Sequence, residues 1–217
     1  CDQSQVIITG PEEGHGDHEG RVQVQEDFDI DFVRIEIMSK LHRIKSPFRA
    51  IIGIDPGMTS GIALVIDGII VYKVSLIAPE AIANLCSRLI LYTERLFPHC
   101  HSIVRVGTGS KLFTALLLRS IFKTEPDTNI ELVNEKHTTI IGGARSDESS
   151  AILIAGRTGR AVTPQDIILE LKEGYVRSLK QFVKKLTRGQ QIITSQEARE
   201  ILTNDKALET TLTTLKS

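Results

Sequence analysis

The chain has no tryptophan and only 5% aromatic residues among 217, so a core has to be built from aliphatic side chains. Those present are mainly Ile, Leu, Val and Ala, which suits a sheet with parallel strands covered by helices and argues against a small all-β module. Cysteine is scarce too. Cys1, Cys86 and Cys100 form no C-x-x-C pair and leave an odd count, which argues against a disulfide framework and a zinc site and fits thiols kept reduced. Long hydrophobic runs are missing: nothing approaches the ~20 apolar residues that cross a bilayer, and the N-terminus lacks the basic and apolar regions of a secretory signal. The expectation is a cytoplasmic protein with no membrane association. A chain that opens on Cys1 rather than Met is read as processed or as part of a longer one. There is also no excess of either charge. A formal net charge of -1 excludes whole-molecule attraction to nucleic acid, so any such binding has to come from a local patch.

What is present, 41% hydrophobic and 24% charged residues, is enough for one sizeable α/β domain with appendages. Residues 1–46 read as an acidic N-terminal segment, in one reading the remnant of an upstream domain. It holds a short strand from Val6 to Thr9, a polar Gly-rich loop from Gly10 to Gly20, and a stretch from Asp27 to Met38. That stretch alternates apolar and polar residues and then shifts to helical spacing, so its type stays open. Ser46-Pro47 marks the boundary of a main domain at 47–160, because the residue before proline avoids the helical region. Ala50 to Ile54 reads as a buried strand ending at Asp55-Pro-Gly57; Gly61 to Ile66 and Ile69 to Leu76 follow as strands joined by the hairpin signal Asp67-Gly68. These three make an antiparallel meander. Then come a helix from Pro79 to Phe97, a strand from Ser102 to Val106, a helix from Lys111 to Phe122, a strand from Ile130 to Val133 and a helix from about Ser146 to Arg157. Residues 161–217 read as a helical extension. One long helix is expected from a Thr163 cap and Pro164 to Leu186, with Gly174 in its middle and Gly189 as its stop, and shorter helices after a Ser195 cap. The helices of the extension are candidates for dimerisation or for covering a sheet edge.

The segment Gly53-Ile-Asp-Pro-Gly-Met-Thr-Ser-Gly-Ile-Ala-Leu-Val65 carries the most chemical information. It puts a carboxylate at the end of a buried strand, where glycines let backbone and ligand approach closely. Asp-Pro-Gly alone is equally an ordinary turn. The wider pattern resembles the RuvC/YqgF-like family of the ribonuclease-H-like superfamily. Gly53-Ile-Asp-Pro-Gly57 is similar to the opening motif of RuvC-type resolvases. Asn134-Glu-Lys-His-Thr-Thr139 resembles the Asp-Glu-x-x-Thr-Thr motif of YqgF-like proteins, and Ser146 to Ala155 resembles the final helix of both groups. Ile103-Val-Arg-Val-Gly107 sits where YqgF-like proteins have an apolar strand ending in Gly. The resemblance covers about half the chain, in the family order.

It implies a ribonuclease-H-like mixed sheet flanked by helices and an acidic site of Asp55, Glu135 and Asp147, with Glu148 as neighbour or substitute. Such a set implies Mg²⁺ or Mn²⁺, since hard cations prefer carboxylate oxygens and two of them roughly 4 Å apart can clamp a phosphodiester. Asp55 would then bridge the ions. Three departures stand against full activity: Val106-Gly107 replaces the Glu of RuvC-type enzymes, Ser150 replaces their second helix Asp, and Asn134 replaces an Asp. The first functional expectation is a metal-dependent nuclease acting on structured DNA or RNA, with Lys180, Lys184, Lys185 and Arg188, beside Arg177, as a basic helix face for nucleic acid. The second is an inactive module of the same fold that binds nucleic acid or a protein partner. A third is an actin-like or sugar-kinase-like nucleotide binder, since Asp55-x-Gly-x-Thr59 also resembles the first phosphate loop of that superfamily; no second such loop is found. Lesser constellations are Gly14-His-Gly-Asp-His18 and His99-Cys-His101 as metal ligands, His137 as a phosphate contact, and Gly107-Thr-Gly-Ser110 as an anion site at a helix start.

Overall fold

The computed structural model describes residues 6–10, 12, 20–135, 146–205, 207, 208, 210 and 212. The Gly14 to His18 loop, His137 and the rest of the motif after Glu135 lie outside these. Two short parallel strands, β1 (Ile7–Thr9) and β2 (Arg21–Gln23), form a small ribbon, of which the sequence reading had found only the first. Helix α1 (Ile30–Leu41) resolves the ambiguous acidic stretch. Asp29 caps it by accepting from the Asp31 and Phe32 amides, and that cap outweighs the local alternation. The same acidic turn anchors α1 to the main domain, where Tyr72 and Arg88 donate to Asp31 at 2.9 and 2.7 Å and Tyr92 donates to Asp29.

The main sheet has six strands in the order β5-β4-β3-β6-β7-β8. Strands β3 (Arg49–Asp55), β4 (Ser60–Ile66) and β5 (Ile69–Leu76) are the expected meander; β6 (His101–Gly107) and β7 (Ile130–Val133) continue it in parallel with β3. The hairpin between β4 and β5 turns on Asp67 and Gly68, both with positive φ (44° and 86°), as a two-residue primed turn demands. The edge strand β8 (Arg160–Ala161), two residues antiparallel to β7, was not foreseen, because two residues carry no periodicity. The fold is therefore α/β, a mixed sheet flanked by helices.

One face of the sheet is aliphatic. Ile52, Ile54, Ile62, Leu64 and Ile66 pack there with Ile82 and Leu89 of α2 (Pro79–Leu96) and with Leu117, Leu118 and Ile121 of α3 (Lys111–Thr124). On the other face Gly53 and Gly61 meet α4 (Asp147–Ala155) at very close range: a Cβ on Gly53 would lie 2.2 Å from the Ala151 carbonyl oxygen, and one on Gly61 1.9 Å from that of Asp147. Buried Arg105 pins the far end of α4, its Nη1 donating to the Ala155 carbonyl and its Nε to Glu131, both at 2.7 Å.

A second core lies beyond α3. Leu112, Ala115 and Leu116 pack there against Val176, Leu179, Phe182 and Val183 of α5 (Glu173–Leu186) and against Ala198, Ile201 and Leu202 of α6 (Ser195–Thr203). The extension thus packs on α3, not over a sheet edge. The single long helix expected from Thr163 is not formed. A 3₁₀ turn at Pro164–Asp166 is closed by Asp166, which accepts from the Thr163 amide and hydroxyl and pairs with Arg160. Beyond it Ile167 packs on the first core and Leu169 on the second. The chain between them is not helical, so α5 starts only at Glu173 and Gly174 falls in its first turn. The cap of α6 is Thr194, not Ser195: Glu197 completes a capping box with it.

Candidate functional site

The site is built where three chain segments end on the α4 face of the sheet. Asp55 closes β3 two residues beyond Gly53, so period-two alternation turns its side chain to the same face as that glycine. Gly107 ends β6 beside it, and Glu135 follows β7 by two residues. A Cβ on Gly107 would lie 2.2 Å from Glu135 Oε1 and 2.7 Å from Ile154 Cδ1. Glycine there leaves the room that the Glu135 carboxylate fills. Asp147 is the first residue of α4, whose Ser146 cap accepts from the Ser149 amide at 3.2 Å.

The three carboxylates act on one another. The Asp55 carboxyl is pushed up to about 6, first by burial, then by the charges of Glu135 and Asp147; the Ser150 hydroxyl, one turn into α4, favours the ionised form and works the other way. Glu135 and Asp147, 80 and 92 positions beyond Asp55, are thus brought into one electrostatic neighbourhood with it. Glu148 is directed elsewhere and pairs with Lys73 of β5 at 3.1 Å.

Glu135 also has a partner of its own. The Gly109 amide donates to Glu135 Oε1 at 2.7 Å, so the anion at the Gly107 to Ser110 turn is the protein's own carboxylate. The turn is tied to the end of β7, with the Thr108 amide donating to the Val133 carbonyl at 3.1 Å, and to α3, with the Thr114 hydroxyl donating to the Gly107 carbonyl at 2.8 Å. In these rotamers the carboxylates do not form a ready cage. Among the described residues no three His, Cys, Asp or Glu side chains are grouped as a metal ion would need.

Of the basic residues, Lys184, Lys185 and Arg188 are exposed, and Lys185 Nζ donates to Thr59 Oγ1 at 2.5 Å, in the loop that follows Asp55. Lys180 is half-buried and turned toward Ser195 of α6, 3.5 Å away. His99, Cys100 and His101 lie at the opposite end of the sheet, since His101 pairs with Arg49 at the start of β3. The Cys100 thiol is buried and pushed up to about 11 by burial, then by the Asp67 charge, so it is a poor metal ligand. Sequence reasoning missed Lys73 and Thr59 as partners of site residues, because pairs separated by 75 and 126 positions leave no local signal. The environment of Arg105 was visible only as a charge inside an apolar strand. No helix among the described residues is long and apolar enough to cross a membrane. No protein-family model, curated protein or solved structure matches the chain.

Proposed function

We propose that the chain is a metal-dependent nuclease of ribonuclease-H-like fold, acting on structured DNA or RNA through Asp55, Glu135 and Asp147. The observation that carries this reading is the state of Asp55, a half-buried carboxyl at the end of a central strand, raised to about 6 by burial and by two carboxylates from distant segments. Folding that gathers like charges in a partly desolvated place is unfavourable by itself, and a divalent cation is the ligand that relieves it. The strand order supports the fold assignment: a meander whose first strand is continued in parallel by β6 and β7, with α4 against the glycine face of β3 and β4.

The donor set suits Mg²⁺ or Mn²⁺, being all hard oxygen. Asp55, Glu135 and Asp147 would hold the ion, with Glu135 leaving the Gly109 amide to do so. When bound, the cation would supply Lewis acidity at a phosphoryl oxygen and a more acidic water. The chain's own contribution is orientation. Gly53, Gly61 and Gly107 let strand ends and α4 approach closely, and Ser150 offers its hydroxyl to Asp55.

The second reading, an inactive binding module of the same fold, is favoured by Gly107 at the end of β6, where a side chain is excluded by Glu135, and by Ser150 in place of an acid. Cleavage of a labelled panel of four-way junction, flap, single-stranded DNA and structured RNA, with Mg²⁺ or Mn²⁺, separates the two. Metal-dependent cleavage that Asp55→Asn abolishes is the expected result. Failure to cleave any substrate under both metals would reject the nuclease reading.

A further inference from the structure

Helix α5 carries a charge pattern that the acidic site does not account for. From Gly174 to Arg188 the sequence has five basic residues, Arg177, Lys180, Lys184, Lys185 and Arg188, and no acidic one, in a chain whose net charge is -1. With 100° per residue, Val176, Leu179, Phe182 and Val183 fall on the buried side, and Arg177, Gln181, Lys184 and Lys185 lie along the exposed side, with exposed Arg188 just beyond the helix end. Lys180 stands at the flank, toward Ser195.

One end of this stripe reaches the loop that leaves the acidic site. Lys185 Nζ donates to Thr59 Oγ1, four residues after Asp55, and Met58 in the same loop packs on the core that α5 and α3 share. Phe113 and Phe182 meet edge to face at 5.1 Å, which fixes α5 on α3, the helix that follows the turn whose Gly109 amide holds Glu135. The near end of the stripe is therefore tied to the loop that follows Asp55. At 1.5 Å per residue it runs about 12 Å from Lys185 back to Arg177.

We infer that α5 is the strand-guiding face of the site: the phosphodiester backbone of the nucleic acid lies along its exposed basic side, and Lys185 exchanges the Thr59 hydroxyl for the phosphate nearest the acidic cluster. The inference rests on the nucleic-acid reading proposed above. Three carboxylates repel an incoming phosphate backbone, so the approach needs fixed positive charge next to them. An ammonium gains by trading a neutral hydroxyl for a charged oxygen, since charge-assisted hydrogen bonds are roughly twice as strong. At about 3.4 Å of axial advance per nucleotide, a 12 Å stripe follows about three or four nucleotides of one strand.

The test measures binding by fluorescence anisotropy, with the full chain, a labelled four-way junction and a labelled single strand, in EDTA, from low to moderate salt. Lys185→Gln is expected to weaken binding of all sequences alike and to make the slope of log K against log salt shallower by about 0.9 for duplex or about 0.7 for single strand. Arg177→Gln and Lys184→Gln should each do the same, and Lys185→Arg should keep the wild-type slope. Lys123→Gln, at the exposed far end of α3, should change nothing. A wild-type slope in Lys185→Gln, or an equal change in Lys123→Gln, overturns the inference, as does failure of the wild type to bind either probe. Asp55→Asn keeps its fate separate from that of the nuclease reading. Binding that depends on Lys185 without any cleavage leaves the guiding face standing and the nuclease rejected; cleavage that depends on Asp55 with an unchanged Lys185→Gln slope does the reverse.

Discussion

Asp55 meets like charge from two directions, Glu135 at the exit of β7 and Asp147 at the start of α4, while half removed from water. Its carboxyl sits near 6 in the folded chain against an ordinary value of 3.8, so the folded state holds the proton more tightly than the unfolded chain does. The contribution of this group to stability is therefore largest below about pH 4, falls as pH rises toward 6, and is level above that. Removing the charge should help at neutral pH. Asp55→Asn is expected to be more stable than wild type above pH 6, by about 1–2 kcal/mol after allowance for solvent screening, with the difference closing near pH 4. Thermal melts at pH 4, 5, 6 and 7.5 check this, and a variant that is less stable at every pH would contradict it. Mg²⁺ extends the same argument. A cation held by these carboxylates should raise the melting temperature of the wild type and leave Asp55→Asn unmoved.

At the level of elements, the site depends on how closely α4 can lie on β3 and β4. Strand glycines and helix alanines set that distance, and a methyl group on Gly61 would collide with the backbone carbonyl of Asp147, which no side-chain rotation can clear. Gly61→Ala should lift the start of α4 and destabilise the chain by about 1–3 kcal/mol in urea titrations. It should also separate Asp147 from Asp55 and lower the carboxyl titration of Asp55 toward its ordinary value. Gly68→Ala is the contrast: it meets nothing within 4 Å and its strain comes only from φ of 86°, so a loss near 1 kcal/mol is expected. Equal losses would mean that α4 yields easily. The hairpin at Asp67-Gly68 and the strand through Gly53 to Asp55 were legible in the sequence because the signals are local: a turn dipeptide, an apolar run, a breaker. The grouping of Asp55, Glu135 and Asp147 was legible only through resemblance in order and motif. The Glu148 partner, the Glu135 contact with Gly109, the break between Thr163 and α5, and β8 were not, since each is decided by contacts made across the sheet or between two cores.

Across the whole molecule, α3 is the shared wall. Its Leu117, Leu118 and Ile121 belong to the core under the sheet, and its Leu112, Ala115 and Leu116 to the core of the extension. Arg119, between them, donates from Nε to the Ile167 carbonyl at 2.9 Å and from its two Nη atoms to the Ile201 and Leu202 carbonyls at 2.9 and 3.0 Å, gathering the connector and the end of α6 onto the same helix. A wall with both faces buried cannot lose one core and keep the other at full strength. The extension should therefore unfold together with the sheet. Phe182→Ala, at a fully buried position of α5, is expected to cost about 3–5 kcal/mol. In native-state hydrogen exchange the loss should reach the slowest amides of β3 and β6 as fully as those of α5 and α6, with one urea transition by every probe. If α5 and α6 instead opened at a lower free energy of their own, leaving strand amides protected as in wild type, the extension would be a separable module, and Lys185 could not be held at a set place against the Thr59 loop.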